Sequence, residues 1–326
     1  MAMGPVSYET GFHFVPGGYD IVGKRISQYG HIMKQLTGIL LIAISAASFG
    51  TLAIFGRILY ADGMDTFTML FLRFGIAAVL MSVILFVQRE PFPRGRVLWQ
   101  LIGMGALGYV GQSFSYLRAI TYASAGLVAL LLYLYPMFVF VLSVIVLHEK
   151  VTWIKVAALI LALTGTALTV DPEGGQLTGV LFSLAAGLIY SVYIIVGNNV
   201  MKQVSALQSS TVIFASAGVV YGILMAANGI HLPATNTGWL NIAGIVLIAT
   251  VIPVVTFLAG LERIGPTNAS MLSTLEPVVT VLLAAWIFGE VLKPIVLLGG
   301  GLILIAVILL TKGELEKRSL TTYPVE

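Results

Sequence analysis

The chain has no cysteine, so neither a disulfide framework nor a thiolate metal site is available to it. It is also poor in charge. Asp, Glu, Lys and Arg together make up 10% of its residues, where an ordinary soluble domain carries about a quarter. No gap between its apolar runs is long enough to hold a soluble domain. Its four histidines, His13, His31, His148 and His231, lie in the tails or at the ends of apolar runs, without an HExxH pair. No metal-ligand spacing and no nucleophile–histidine pair appears, so a metal or hydrolytic centre has little support. The absence of a P-loop argues against direct drive by ATP. The net charge of +3 comes from scattered basic residues, without the clustered patch that marks a nucleic-acid surface.

What the chain does have is apolar sequence. It is 58% hydrophobic, with a mean hydropathy of +1.00. Ten apolar segments of spanning length can be marked, near 36–59, 66–88, 98–117, 123–147, 153–170, 177–197, 208–228, 238–260, 267–288 and 294–311. A bilayer core needs about 20 such residues per helix, so the expected fold is an all-α integral membrane protein with ten transmembrane helices and the lipid bilayer around it. The connectors ADGMD, REPFPRGR, DPEGG and NGIHLPATNTG carry turn residues. Residues 1–35 lack the apolar core of a cleaved signal and contain Glu9 and Asp20, which predicts a cytoplasmic tail. A second tail is expected over 313–326.

Lys and Arg set the expected orientation. Of 17 basic residues, 13 fall on the side of the N-terminus, Arg57, Arg118 and Lys293 fall on the other, and Arg73 lies within a span. Both termini are therefore expected in the cytoplasm, with the protein in the plasma (inner) membrane.

QLTGIL at 35–40 returns as QLTGVL at 176–181. When the first copy is laid on the second and the alignment is continued without a gap, Leu117 meets Leu258, Pro136 meets Pro277 and Glu149 meets Glu290. Phe49 meets Tyr190, and Tyr116 meets Phe257. The chain reads as two five-helix repeats, 36–170 and 177–312. Five is odd, so the second repeat runs inverted in the membrane. Inverted repeats are typical of secondary transporters, in which two similar halves rock around a site near the bilayer midplane.

Several short stretches resemble the drug/metabolite transporter superfamily, in its EamA-type ten-helix branch. They are SFG at 48–50 and IYS at 189–191, Arg73 in LRFG, ALLLYLYP followed by LHEK, and SMLSTLEP followed by FGE. The resemblance covers 36–312 and implies a membrane carrier that moves small metabolites, often outward. Phe49 and Tyr190 stand where many relatives carry tryptophan, so the resemblance does not transfer a substrate pocket.

Polar groups at membrane depth are costly and often mark pathways. Glu276 is the deepest acid. It precedes Pro277, which removes an amide donor and loosens the backbone one turn back. Arg73 is the one base well inside a span, either facing the pathway or pairing structurally. Gln112, Ser113 and Tyr116, then Tyr133 and Tyr135, then Tyr190, Ser191 and Tyr193 supply polar and aromatic groups beside Phe49. Ser270, Ser273 and Thr274 share a helical face. Pro136 and Pro277 are the expected helix breaks.

Glu149 and Glu290, just before the fifth and tenth spans, read as structural acids at helix starts. Small residues in those two spans, Gly165 and Gly299 among them, suit close helix packing or a homodimer contact. GMGALG at 103–108 matches a dinucleotide fingerprint only in letters, since it lacks the βαβ setting. NAS at 268–270 lies within a span and is not read as a glycosylation site.

The expected function is a non-enzymatic secondary transporter without a cofactor. It exports a small organic metabolite such as an amino acid or another zwitterion, and protons are a candidate coupling ion at Glu276. The alternatives are an exchanger of phosphorylated metabolites or nucleotide sugars, which needs more bases than Arg73, an intramembrane enzyme, which needs a catalytic pair, and a receptor or scaffold, which needs larger loops.

Overall fold

The computed structural model describes residues 18–123, 125–169, 176–289 and 291–321. Glu290, the DPEGG loop at 171–175 and the first repeat's expected end at residue 170 lie outside them. Helices account for the described fold, and no strand occurs among the described residues. In chain order they are α1 (Gly18–Gly50), α2 (Leu52–Ala61), α3 (Thr66–Val87), α4 (Gly95–Gly103), α5 (Val110–Ile120), α6 (Ala125–Leu132), α7 (Tyr135–Leu147) and α8 (Trp153–Thr169). They continue as α9 (Leu177–Val200), α10 (Ala206–Asn228), α11 (Asn236–Val246), α12 (Ile252–Ile264), α13 (Pro266–Leu272), α14 (Leu275–Phe288) and α15 (Pro294–Thr321). Two π-helical turns, Met104–Tyr109 and Leu247–Val251, join α4 to α5 and α11 to α12.

Eight helices among the described residues are long and apolar enough to cross a membrane. The expected spans at 98–117 and 153–170 are helical but are not among the eight. The first is diluted by Gln100, Gln112, Ser113 and Ser115, and the helix over the second, Trp153–Leu168, is apolar but short. Helix also reaches beyond the expected span ends, back to Gly18 and on to Thr321. The outer surface is apolar, with Val79, Phe86, Leu107, Ile145 and Trp286 all exposed. A water-facing protein rarely presents so much contiguous apolar surface; a lipid-facing one does.

The packing follows the repeat. Helices that the repeat makes equivalent lie on one another: α3 packs along α10, and α8 along α15. The pair α1–α12 is matched by α9–α5, and α1–α14 by α9–α7. Glycine permits the close approaches. A methyl group on Gly165 of α8 would come within 2.6 Å of Gly299 O and 3.0 Å of Ile303 N on α15. Gly165 and Gly299 are thus used in packing inside the chain.

The links between loops are matched as well. Asp65 caps α3, accepting from Phe67 N at 2.8 Å and Thr68 N at 3.1 Å, and it meets His231 Nδ1 at 3.2 Å. Ser205 caps α10 through a capping box with Gln208 and donates to Glu90 Oε2 at 2.5 Å. His231 and Glu90 are themselves equivalent positions of the two repeats. Burial pulls Asp65 upward, but the hydrogen bonds from Thr68, Phe67 and His231 outweigh it and hold its carboxyl below the usual value. Glu149 pairs with Lys155 and accepts from Thr267 at 2.5 Å, so it ties the start of α8 to α13.

Candidate functional site

Two helices break at equivalent points. α6 gives way to α7 around Tyr133 and Leu134, and α13 to α14 around Ser273 and Thr274. Each break precedes a proline, Pro136 or Pro277, that cannot bond back to residue i−4 and whose ring crowds that carbonyl. The turns tighten instead. Leu134 N donates to Leu131 O at 3.3 Å, and Thr274 N to Met271 O at 3.2 Å. Glu276 N donates to Ser273 O at 3.0 Å. The carbonyl that Pro277 releases is therefore taken up by the neighbouring amide and is not open to a ligand.

These breaks bring the central side chains together. Glu276 is half-buried near the middle of the span Pro266–Phe288. Tyr133 stands at the other break and packs against the main core. Tyr109, Tyr135, Tyr190 and Tyr193 form the aromatic centre of the fold. The rings form a connected set. Tyr135 and Tyr190 meet edge to face with centroids 4.8 Å apart, Tyr190 and Tyr193 stack at 5.9 Å, and Tyr193 meets Tyr109 at 6.0 Å. Phe49 and Tyr190 are half-buried and pack against the main core.

The repeat shows how unequal the two halves are here. Tyr135 occupies in α7 the position that Glu276 holds in α14. Tyr135 is buried and donates to Ser270 O at 3.3 Å, whereas Glu276 keeps accessible surface. Around Glu276 the backbones lie close: Thr280 Oγ1 donates to Gly50 O at 3.0 Å and Glu276 O at 3.1 Å. A methyl group on Gly50 would stand 3.0 Å from Glu276 O. At the equivalent contact, Ser191 Oγ donates to Gly187 O at 2.7 Å and Tyr135 O at 3.1 Å.

Arg73 is 4% exposed. Its Nε donates to Thr250 Oγ1 at 2.6 Å and its Nη2 to Ala249 O at 3.2 Å. Its guanidinium lies 4.9 Å from the centroid of Phe74, whose ring meets Tyr109 edge to face at 5.0 Å. Ala249 and Thr250 belong to the π turn, where the wider i→i+5 pattern disturbs the ladder and exposes carbonyls. Arg73 thus pins α3 to that turn. Its bonds from Nε and Nη2 both go to that turn.

Other expected groups are placed differently. Ser270, Ser273 and Thr274 are buried, and their hydroxyls donate to Thr267 O, Ala269 O and Met271 O in their own helix. Ser113 donates to Gln112 Oε1 at 3.2 Å, forming a pair of its own. Tyr116 packs on Ala119, Ala123 and Val128 at the edge of the site. In GMGALG, the glycines serve packing: Gly105 lies against Ile213 and Ser216, and Gly108 against Tyr193.

Tyr109, Thr250, Thr280 and Gly50 were not singled out by the sequence. Tyr109 and Thr250 are equivalent positions of the two repeats, so a comparison of the halves for differences, rather than likenesses, would have flagged them. A small cavity of about 10 Å³ lined by Gln35, Asn268, Leu272 and Leu310 lies away from Glu276 and has room for about one water. Among the described residues, no group of three or more His, Asp or Glu is placed to hold a metal ion.

A family model described as the EamA-like transporter family matches twice, at residues 36–171 and 177–312. A protein of Archaeoglobus fulgidus named an uncharacterized transporter is 30% identical over 82% of this chain and 94% of its own. The inner membrane transporter YedA of Escherichia coli, itself called uncharacterized, is 26% identical over 74% of this chain and 80% of its own. A protein of Streptantibioticus cattleyicolor named a probable terminal-alkyne amino-acid exporter is 24% identical over 81% of this chain and 90% of its own. A solved crystal structure at 19% identity superimposes with a TM-score of 0.74, covering 86% of this chain and 98% of that one. With two family matches, a transporter relative at this identity and apolar membrane-length helices, the chain belongs to the EamA-like transporter family.

Proposed function

We propose that this membrane transporter is a secondary carrier that exports a small organic metabolite, an amino acid or a related compound. In this reading ten helices cross the inner membrane as two inverted five-helix repeats, 36–170 and 177–312, with both termini in the cytoplasm. Alternating access comes from the two halves exchanging conformations around Glu276. The observation that carries the reading is Glu276 itself, a half-buried carboxyl in mid-span at a helix break. An acid so placed is costly in a membrane unless it handles a solute or a proton. The amino-acid part of the reading is supported by the name of the Streptantibioticus relative. Protons are the coupling ion that Glu276 suits.

The test is release from proteoliposomes loaded with a mixture of amino acids, nucleosides, nucleobases and polyamines, followed by mass spectrometry with and without an imposed proton gradient. Selective release of amino acids or their relatives, absent from empty vesicles, is the expected result. Release of no compound under either condition overturns the carrier reading.

A further inference from the structure

We propose that the connector between α3 and α4, with the first turn of α4, is a binding surface for an anionic phospholipid, whose phosphate is held by Arg89, Arg94 and Arg96. It stands apart from Glu276 and does not rest on the carrier reading above.

The connector starts where a membrane-length helix ends, at Val87, which places it at headgroup depth. Phe86 and Trp99 at its two ends are 85% and 71% exposed, and Phe92 within it is exposed too. Arg89, Arg94 and Arg96 are all exposed within these eight residues. The one acid among them is turned inward: Glu90 accepts from Ser205 Oγ at 2.5 Å, and next to it Pro91 O accepts from Gln208 Nε2 at 2.7 Å. Those two bonds fix the connector to the start of α10 and leave its outer side purely basic. Local structure does not ask for these bases. Arg89 has φ 54°, a left-handed position that glycine fills at less cost. Arg94 and Arg96 open α4, the helix end where the dipole disfavours bases, and no acid stands in that first turn. The second repeat shows the alternative. At the same three positions it has Ile230, Thr235 and Thr237, and Thr235 caps its helix by accepting from Gly238 N at 2.9 Å. The arginines are therefore kept for something outside the chain. Guanidinium groups match phosphate oxygens, and basic residues just beyond a span draw anionic lipids. The exposed Phe86 and Trp99 select a phosphate that carries acyl chains over a free one, since aromatic side chains at the span ends lie against lipid.

The experiment is lipid titration of the full-length protein in neutral detergent, followed by native mass spectrometry and by thermal melts. The probes are phosphatidylglycerol, phosphatidylcholine and inorganic phosphate. Phosphatidylglycerol is expected to bind in preference to phosphatidylcholine and to raise the melting temperature, and inorganic phosphate to leave it unchanged. Each arginine removed should weaken phosphatidylglycerol by about fivefold, the usual worth of one base near a charged membrane surface, so Arg94→Gln with Arg96→Gln should lose about tenfold or more. Arg89→Gly should also lose about fivefold, while the melting temperature without lipid stays the same or rises, because glycine suits the left-handed backbone. Lys150→Gln removes an exposed base from a different connector and should bind as wild type does. Equal binding of the two lipids, an undiminished phosphatidylglycerol preference in the double variant, an equal loss in Lys150→Gln, or stabilisation by inorganic phosphate to the same degree overturns the inference. None of these outcomes touches the carrier reading, which the proteoliposome screen tests separately.

Discussion

The two halves of the chain solve the same problem with different chemistry. Where α7 has Tyr135 before its proline, α14 has Glu276. Where α3 reaches its neighbouring π turn with Arg73, α10 presents Phe214, and the turn offers Tyr109 in place of Thr250. The α3 crossing is polar, fixed by Arg73 to Thr250 and Ala249. The α10 crossing is dry and close: a methyl group on Gly105 would come within 2.5 Å of Ile213 O and collide with Ser216 Oγ. The first half bends where the second does not, since α1 and α2 part at Thr51 while α9 runs unbroken through the equivalent residue. The repeat thus forms a symmetric frame, and a few central positions differ in polarity between its halves, Arg73 in the first and Glu276 in the second.

The largest effect should come from exchanging the two centres. Tyr135→Glu combined with Glu276→Tyr moves the carboxyl to the equivalent position, where Thr274 stands in place of Tyr133 and Phe214 in place of Arg73. Transport in proteoliposomes is expected to fall to background, with the double variant still monodisperse in detergent. Retained transport would mean that the halves are interchangeable after all. Next is Arg73→Met. It leaves Thr250 and Ala249 O without their donor in a buried site, which costs about 1–3 kcal/mol for each group left unpaired. Phe214→Leu, at the equivalent place, should cost less, about 1 kcal/mol for a volume change within an apolar contact. Thermal melts of the two variants compare the polar and the dry crossing directly.

Gly105→Ala sharpens the same comparison from the dry side. Overpacking there is expected to cost about 1–3 kcal/mol, while Gly56→Ala, which meets nothing within 4 Å, should not lower the melting temperature. The smallest effects belong to the caps. Asp65→Ala and Ser205→Ala should each cost about 1 kcal/mol, but only the first should depend on pH. The folded carboxyl of Asp65 is held below its usual value of 3.8. Its contribution is therefore complete above that value and is lost as pH falls through the lower, folded one. A melt of wild type against Asp65→Ala should converge in strong acid, and the Ser205→Ala difference should not change.

Much of this was legible in the sequence because it rests on periodicity and repetition. Apolar runs located the helices, and the gapless repeat predicted that breaks near Pro136 and Pro277 would match. Glu276 stood out because a lone acid in an apolar run has no bland company. The partners of these groups were less legible. Whether Arg73 faces the pathway or a helix depends on a π turn between α11 and α12, and no periodic signal marks such a turn. Ser270, Ser273 and Thr274 share a face in sequence, yet a hydroxyl in a helix can turn back to its own carbonyl, and each of them does. The spans at 98–117 and 153–170 show the limit of hydropathy, since polar residues or short length leave a helix below the level that composition alone can mark.

The most direct test of the polar centre is transport by three proteins reconstituted at equal density: wild type, Glu276→Gln and Tyr135→Phe. The probe is whichever compound the wild-type screen releases. Glu276→Gln is expected to lose roughly 10- to 100-fold in rate, the range for removing a hydrogen-bonded charge, and Tyr135→Phe to stay within about twofold, because a hydroxyl bonded to the Ser270 carbonyl contributes about 1 kcal/mol to structure rather than to the solute. A wild-type rate in Glu276→Gln, or an equal loss in both variants, would contradict a pathway centred on one acid in one half.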